Sequence, residues 1–190
     1  MKASSFFIFL IAFLFAATAQ GQNYWKNSIT GEGPVVKEEL SLEAFHSIGL
    51  GISGTVYLTP GKTQKVVVEG QKNLIDNLKR EVKNGSWNIA FNNNERGKSD
   101  MNFYITLPAV QNLAIGGSGK IISKEAYNGL GALKFSIGGS GNIEFAGTAN
   151  SLEVSIGGSG SVKAGDLKVQ TSKVSIGGSG NCYGKVMSMD

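Results

Sequence analysis

The sequence predicts an all-β fold, a parallel β-solenoid built from coils of about 20 residues with one short helix. Three observations carry this. First, Ile-Gly-Gly-Ser-Gly occurs four times, at 115–119, 137–141, 156–160 and 176–180, with spacings of 22, 19 and 20 residues. Second, an apolar residue stands two positions before each motif isoleucine (Leu113, Phe135, Val154, Val174), with a small residue between. That alternation is the period of a strand with one face buried. Third, an apolar residue falls six positions after each isoleucine: Ile121, Ile143, Val162 and Cys182.

Each repeat therefore reads as a strand, a glycine corner and a second strand. Stacking the coils in parallel would align Ile115, Ile137, Ile156 and Ile176 in one interior column, and Ile121, Ile143, Val162 and Cys182 in another. Each such side chain contributes about 1.5–3 kcal/mol when buried, and its apolar partners lie in neighbouring coils. The corner glycines are Gly116, Gly117, Gly119, Gly138, Gly139, Gly141, Gly157, Gly158, Gly160, Gly177, Gly178 and Gly180. A sharp corner calls for positive φ, which glycine adopts without a Cβ clash. Valine at Gly138 or Gly157 is thus expected to destabilise the fold. Ser118, Ser140, Ser159 and Ser179 would form a column about 4.8 Å apart. This column is the candidate ligand surface, although structural duty is the preferred reading for it.

The other elements follow in chain order. Lys2, the apolar run 6–17 and the Ala17-Thr18-Ala19 cleavage pattern mark residues 1–19 as a signal peptide. That run is too short to span a membrane as a mature helix, and no later transmembrane segment is indicated. Residues 20–40 are a polar lead-in, with 35–40 a first strand or cap, and residues 41–190 form the solenoid domain. An imperfect copy of the motif begins at Leu50, with Val56 six residues on. The 65 residues from Leu50 to Ile115 allow nearly three coils, so decorated coils are expected between them. Strands are predicted at 54–58 and 64–69, separated by a Pro60-Gly61 turn. Asn73 before Leu74, Ile75, Leu78 and Val82 predicts an N-capped helix of about two turns. A turn at Asn84-Gly85, strands at 87–91 and 101–107, and a polar loop at 92–100 complete the upstream half. With Asp190 only fourteen residues beyond Ile176, the last coil is expected to be incomplete.

Composition narrows the chemistry. Without Lys2 there are 17 basic and 14 acidic side chains and no basic cluster, which argues against nucleic acid. Cys182 is the single cysteine and reads as a small core residue, since it cannot form an internal disulfide. The pattern G-x-G-x-x-G at 49–54 runs into a strand-like segment where a nucleotide site needs a helix. The repeats resemble calcium-binding nonapeptides but carry Ile121, Ile143, Val162 or Cys182 where the carboxylate belongs. His46 is the single histidine, which excludes a multi-histidine zinc site, and it reads as a surface or capping residue. Glu38 and Glu39 are adjacent and should diverge, and Glu144, Glu153 and Asp166 occupy unlike registers without facing partners. No cofactor or metal, and no catalytic residue, is indicated.

Several blocks together resemble the head GIN domain family of auto-transporter adhesins. They are 45–58 with Gly61, Val66-Val67-Val68-Glu69 with Asn73-Leu74-Ile75, 82–89 with Gly85, Tyr104-Ile105-Thr106-Leu107-Pro108, and the Gly-Ser-Gly repeats. The resemblance covers about residues 40–185. It implies a right-handed β-helix-like fold, consistent with the general hand of parallel crossovers, and an exported protein of a Gram-negative bacterium, in the periplasm, at the cell surface or secreted. It carries over no catalytic residues. The function expected is non-enzymatic binding or adhesion toward a glycan or a cell-surface protein, through a solenoid face. The alternative is a self-assembling structural solenoid, a homo-oligomer joined through its ends. A polysaccharide-active enzyme is the least favoured reading, because the acids it needs are missing.

Overall fold

A computed structural model of the protein describes residues 28–95 and 101–184. The expected signal peptide, the part of the lead-in before residue 28, part of the polar loop and the last six residues lie outside the described residues. The described chain is mostly β, with one helical turn.

In chain order the first elements are β1 (Ser28–Ile29), β2 (Val35–Glu39), β3 (Ser47–Leu50), β4 (Gly54–Pro60) and β5 (Lys65–Gln71). Next come the helix α1 (Lys72–Asp76), β6 (Val82–Lys83), β7 (Ser86–Ile89), β8 (Asn94–Glu95) and β9 (Met101–Leu107). The four repeats then supply strand pairs: β10 (Asn112–Ile115) with β11 (Lys120–Ser123), β12 (Tyr127–Ile137) with β13 (Asn142–Glu144), β14 (Gly147–Ile156) with β15 (Ser161–Ala164), and β16 (Leu167–Ile176) with β17 (Asn181–Gly184). The first strand of each pair enters a seven-stranded sheet of order β16-β14-β12-β10-β3-β7-β6. The second enters an eight-stranded sheet of order β17-β15-β13-β11-β4-β9-β5-β2. Both sheets are open and mixed, and β1 with β8 forms a separate two-stranded ribbon.

Among the repeats every pairing is parallel and in register with the motif. Ile115 pairs with Ile137, Ile137 with Ile156 and Ile156 with Ile176. Ile121 pairs with Ile143, Ile143 with Val162 and Val162 with Cys182. The early copy sits in the same ladders, Leu50 beside Ile115 and Val56 beside Ile121. No decorated coils separate the two, contrary to expectation. Residues 61–110 instead extend both sheets on the far side of β3 and β4, through β7 and β9. The sheets become mixed in this extension. Here β5 runs antiparallel to both β9 and β2, and β6 antiparallel to β7. For β6 and β7 the cause is a two-residue connection, because a parallel return needs a crossover of a dozen or more residues. Between β6 and β7 the turn is Asn84-Gly85, with φ of 50° and 68°, a tight hairpin turn that favours this residue pair.

The helix is shorter than its sequence pattern implies. One turn, Lys72–Asp76, is all that forms, and Gln71 at its N-cap makes no side-chain cap. Asn73 is engaged elsewhere: its side chain accepts from the Glu32 amide at 3.1 Å and donates to the Thr30 carbonyl at 2.7 Å. Leu78 leaves the helix to bridge Phe91. Gln64 plays a comparable part, accepting from the Phe45 amide and donating to the Leu42 and Glu43 carbonyls, so it fixes the entry into β3.

The core lies between the inward faces of the two large sheets. Leu50, Ile115, Ile137 and Ile156 from one sheet join Val56, Ile121, Ile143 and Val162 from the other in a single apolar cluster. Aromatic rings widen it at both ends: Phe45 against Trp87 and Trp87 against Phe103, then Tyr127 and Phe135 against Phe145. Gly147, at φ 142°, passes against the Tyr127 backbone where no side chain could fit. There β12 and β14 shift register.

Candidate binding surface

The four motif corners carry the chain from the seven-stranded sheet to the eight-stranded one. They carry on the parallel hydrogen bonding: Gly138 and Gly157 donate to the Ile115 and Ile137 carbonyls, and Ser140 and Ser159 to the Gly117 and Gly139 carbonyls. None of the twelve corner glycines has positive φ, so the conformational reason expected for them does not hold. The reason is space, and it differs along the motif. A Cβ on Gly138, Gly157 or Gly177 would meet one carbonyl oxygen at 3.9–4.0 Å, an ordinary contact, and one on Gly116 would meet nothing. A Cβ on Gly139, Gly158 or Gly178 would collide with the backbone of the preceding repeat. A Cβ on Gly119, Gly141, Gly160 or Gly180 would collide both with backbone and with a buried side chain of the preceding repeat. Gly117 has room. At the second and third glycines of the motif, Gly117 excepted, the missing side chain lets successive repeats approach to backbone contact.

Ser118, Ser140, Ser159 and Ser179 are all exposed at these corners. Their hydroxyls bond neither to one another nor to the backbone among the described residues. Six of the eight predicted core-register residues are buried: Ile115, Ile121, Ile137, Ile143, Ile156 and Val162. Ile176 is 42% exposed and Cys182 half-buried, because no described strand pairs with the outer edges of β16 and β17. Val174 is likewise exposed, and an apolar cavity of about 290 Å³ opens between these last strands.

His46 stands just before β3. Its Nδ1 lies 3.0 Å from the Oγ of Ser47, which accepts from Asn112 Nδ2 at 3.1 Å. Ser47 is almost wholly buried, so this chain of hydrogen bonds ties β3 to β10. Glu38 and Glu39 do diverge: Glu38 meets Lys72 at 3.1 Å and Arg80 at 3.3 Å, and Glu39 meets Lys65 at 3.2 Å. Among the described residues no group of three or more His, Cys, Asp or Glu could hold a metal ion. Nor is any described helix long and apolar enough to cross a membrane.

A further set of exposed groups lies on the outer face of the eight-stranded sheet, which the sequence pattern did not single out. One register row crosses all eight strands: Glu39, Val67, Tyr104, Tyr57, Ile122, Glu144, Lys163 and Tyr183. At a strand spacing of about 4.8 Å, the five steps from Tyr104 to Tyr183 span about 24 Å. Tyr57 and Tyr104 stack with ring centroids 5.3 Å apart. Lys124 lies 4.4 Å over the Tyr57 ring and Lys37 5.2 Å over the Tyr104 ring, so two ammonium groups clamp the pair through cation–π attraction. The Tyr104 hydroxyl donates to Glu69 at 2.7 Å, and that bond to a carboxylate raises its pKa above the usual phenol value. Glu144 pairs with Lys163 at 4.0 Å, and Glu153 with Lys134 at 3.5 Å.

Beyond Tyr57 this row borders a cleft of about 550 Å³ at the ends of β11, β13, β15 and β17. Lys124, Lys163, Glu144, Asp166 and Tyr183 line it. Two carboxylates that seemed unrelated in sequence thus share one cleft.

The fold and this surface can be set beside known proteins. A family model described as "Putative auto-transporter adhesin, head GIN domain" matches residues 44–186. The chain belongs to the head GIN domain family. Two solved structures share the fold of this head GIN chain. One, a "putative adhesin" from Bacteroides fragilis NCTC 9343, is 16% identical, with a TM-score of 0.56 over 84% of this chain and 98% of that one. The other, a "putative adhesin" from Parabacteroides merdae ATCC 43184, is 10% identical, with a TM-score of 0.54 over 86% of this chain and 100% of that one. No curated protein matches the chain in sequence.

Proposed function

We propose that this head GIN chain is an exported, non-catalytic binding or adhesion module that holds a glycan or protein partner on the outer face of its eight-stranded sheet. The observation that carries the reading is the Tyr104–Tyr57 stack between Lys37 and Lys124, set on a row that ends at the exposed Tyr183. Aromatic rings with polar rims, rigidly held at a sheet surface and partly exposed, are what binding surfaces supply at low entropic cost. The adhesin description of the family supports the same reading. In this proposal residues 1–19 direct export, and the repeats wind as a right-handed parallel β-helix whose stacked coils keep the face flat.

The test is a screen of the full chain against immobilised glycans and purified matrix proteins, repeated with Tyr57→Ala and Tyr104→Ala. Binding lost in both variants, at an unchanged circular dichroism spectrum, supports the reading. A screen with no ligand, or glycan turnover by the chain, counts against it. A second reading, end-to-end self-assembly, is favoured by the exposed Val174 and Ile176 beside the apolar cavity at β16 and β17. Concentration-dependent growth in light scattering that Val174→Lys abolishes would move the weight to it.

A further inference from the structure

We propose that the cleft bordered by Lys124 and Tyr183 is a subsite for a neutral, hydroxyl-rich saccharide. The inference rests on the binding reading above and names the ligand class within it. Three properties of the cleft argue for this class. Its size, about 550 Å³, suits a small ligand or one segment of a longer chain.

Its charge is balanced, with Lys124 and Lys163 set against Glu144 and Asp166. An anion would meet two carboxylates and a cation two ammonium groups, so a charged ligand gains little. A hydroxyl both donates and accepts, and it can use both kinds of wall. These groups are partly unspent: Lys163 and Glu144 pair loosely at 4.0 Å, whereas Lys124 and Asp166 have no ion-pair partner among the described residues. Lys124 instead rests on the Tyr57 ring while lining the cleft, so it links the cleft to the aromatic pair.

The third property is Tyr183, 58% exposed on the edge strand β17. Its ring stacks on no other ring and carries no cation among the described residues, unlike Tyr57 and Tyr104. A free ring face is electron-rich. The C–H bonds on one face of a pyranose are its natural complement, while the hydroxyls around the sugar's edge reach the charged groups. The register row then extends from the cleft past Ile122 to Tyr57, so a longer saccharide would run across the strands.

The experiment titrates the full chain with chitotetraose, cellotetraose and mannotetraose, with trigalacturonate as the anionic comparison. Saturation-transfer NMR and calorimetry read the binding. At least one neutral tetrasaccharide is expected to bind in preference to trigalacturonate. Tyr183→Ala and Asp166→Asn should each weaken it about tenfold, the scale of one lost stacking or charge-assisted contact. Both residues are exposed, and an unchanged melting curve confirms that the variants fold. Preference for trigalacturonate, neutral binding that survives both substitutions, or no binding to any of the four overturns the proposal. The wider binding reading outlives those results if a matrix protein still binds through Tyr57, and falls with them if nothing binds.

Discussion

Gly158 passes so close over the Gly139 carbonyl oxygen that a methyl group on Gly158 has no room. One residue earlier, a Cβ on Gly157 would meet the Ile137 carbonyl at an unstrained 3.9 Å. Adjacent glycines of one motif therefore differ in what they tolerate. Gly158→Ala should cost about 1–3 kcal/mol, as overpacking against fixed backbone does. Gly157→Ala should stay within about 0.5 kcal/mol of wild type, because its φ is not left-handed and alanine narrows the unfolded ensemble. Urea midpoints at constant m separate the two. Equal losses at both positions would refute the close-approach account.

That contrast also marks how far the sequence could be read. The period of the motif and the apolar residues two before and six after it place β10 to β17 and their register, since parallel stacking aligns equivalent residues. Leu50 and Val56 were legible for the same reason. The position of residues 61–110 was not, because chain order does not reveal that β9 slips in beside β4. The Tyr57–Tyr104 stack was hidden for that reason too: 47 residues separate the rings, and a ladder between distant segments joins them. The charged cleft likewise depends on side chains from all four repeats, each unremarkable in its own. The helix pattern overran because Asn73 has partners in Glu32 and Thr30 that its neighbours in sequence do not announce.

The Tyr104 hydroxyl gives the surface a pH signature. Its hydrogen bond to Glu69 raises its pKa, so the phenol should titrate above the usual value of about 10. The sign follows from linkage: a raised folded pKa means the bond's contribution is complete below about pH 10 and is lost as pH climbs through the folded value. Phenolate absorbance should show a late-titrating tyrosine that moves earlier in Glu69→Gln. A titration unchanged by Glu69→Gln would contradict this assignment.

Cys182 is expected to be a sluggish thiol. Burial raises its pKa above the ordinary value, so less thiolate is present near pH 8, and its half-buried place beside Val162 limits access. Iodoacetamide should modify it more slowly in the folded protein than in urea at the same pH, with the folded rate rising steadily as pH increases. Ile176→Lys should accelerate the folded reaction, because Ile176 and Cys182 line the same terminal cavity. Modification at the unfolded rate would show that the terminal strands do not protect the thiol.

Tyr127 is a cost carried inside the core. Its ring stacks on Phe145 at 5.4 Å, yet its hydroxyl is buried and makes no well-formed hydrogen bond; the Leu107 backbone beside it only partly offsets the effect of burial on its pKa. Desolvation is the leading cause that holds its pKa well above the ordinary phenol range, since the charged form would have to exist in the apolar cluster. Tyr127→Phe keeps the ring and removes the stranded hydroxyl, so it should raise stability by about 1 kcal/mol near pH 7. It should also flatten the alkaline limb. In wild type the unfolded chain ionises this tyrosine above about pH 10 while the folded chain cannot, which pulls the equilibrium toward unfolding. With phenylalanine that pull is gone. Urea denaturation of both proteins at pH 7 and pH 11 measures the two effects together, and the variant's advantage should widen with pH. An advantage that shrinks with pH, or a loss of stability at pH 7, would mean that the hydroxyl has a partner in solution.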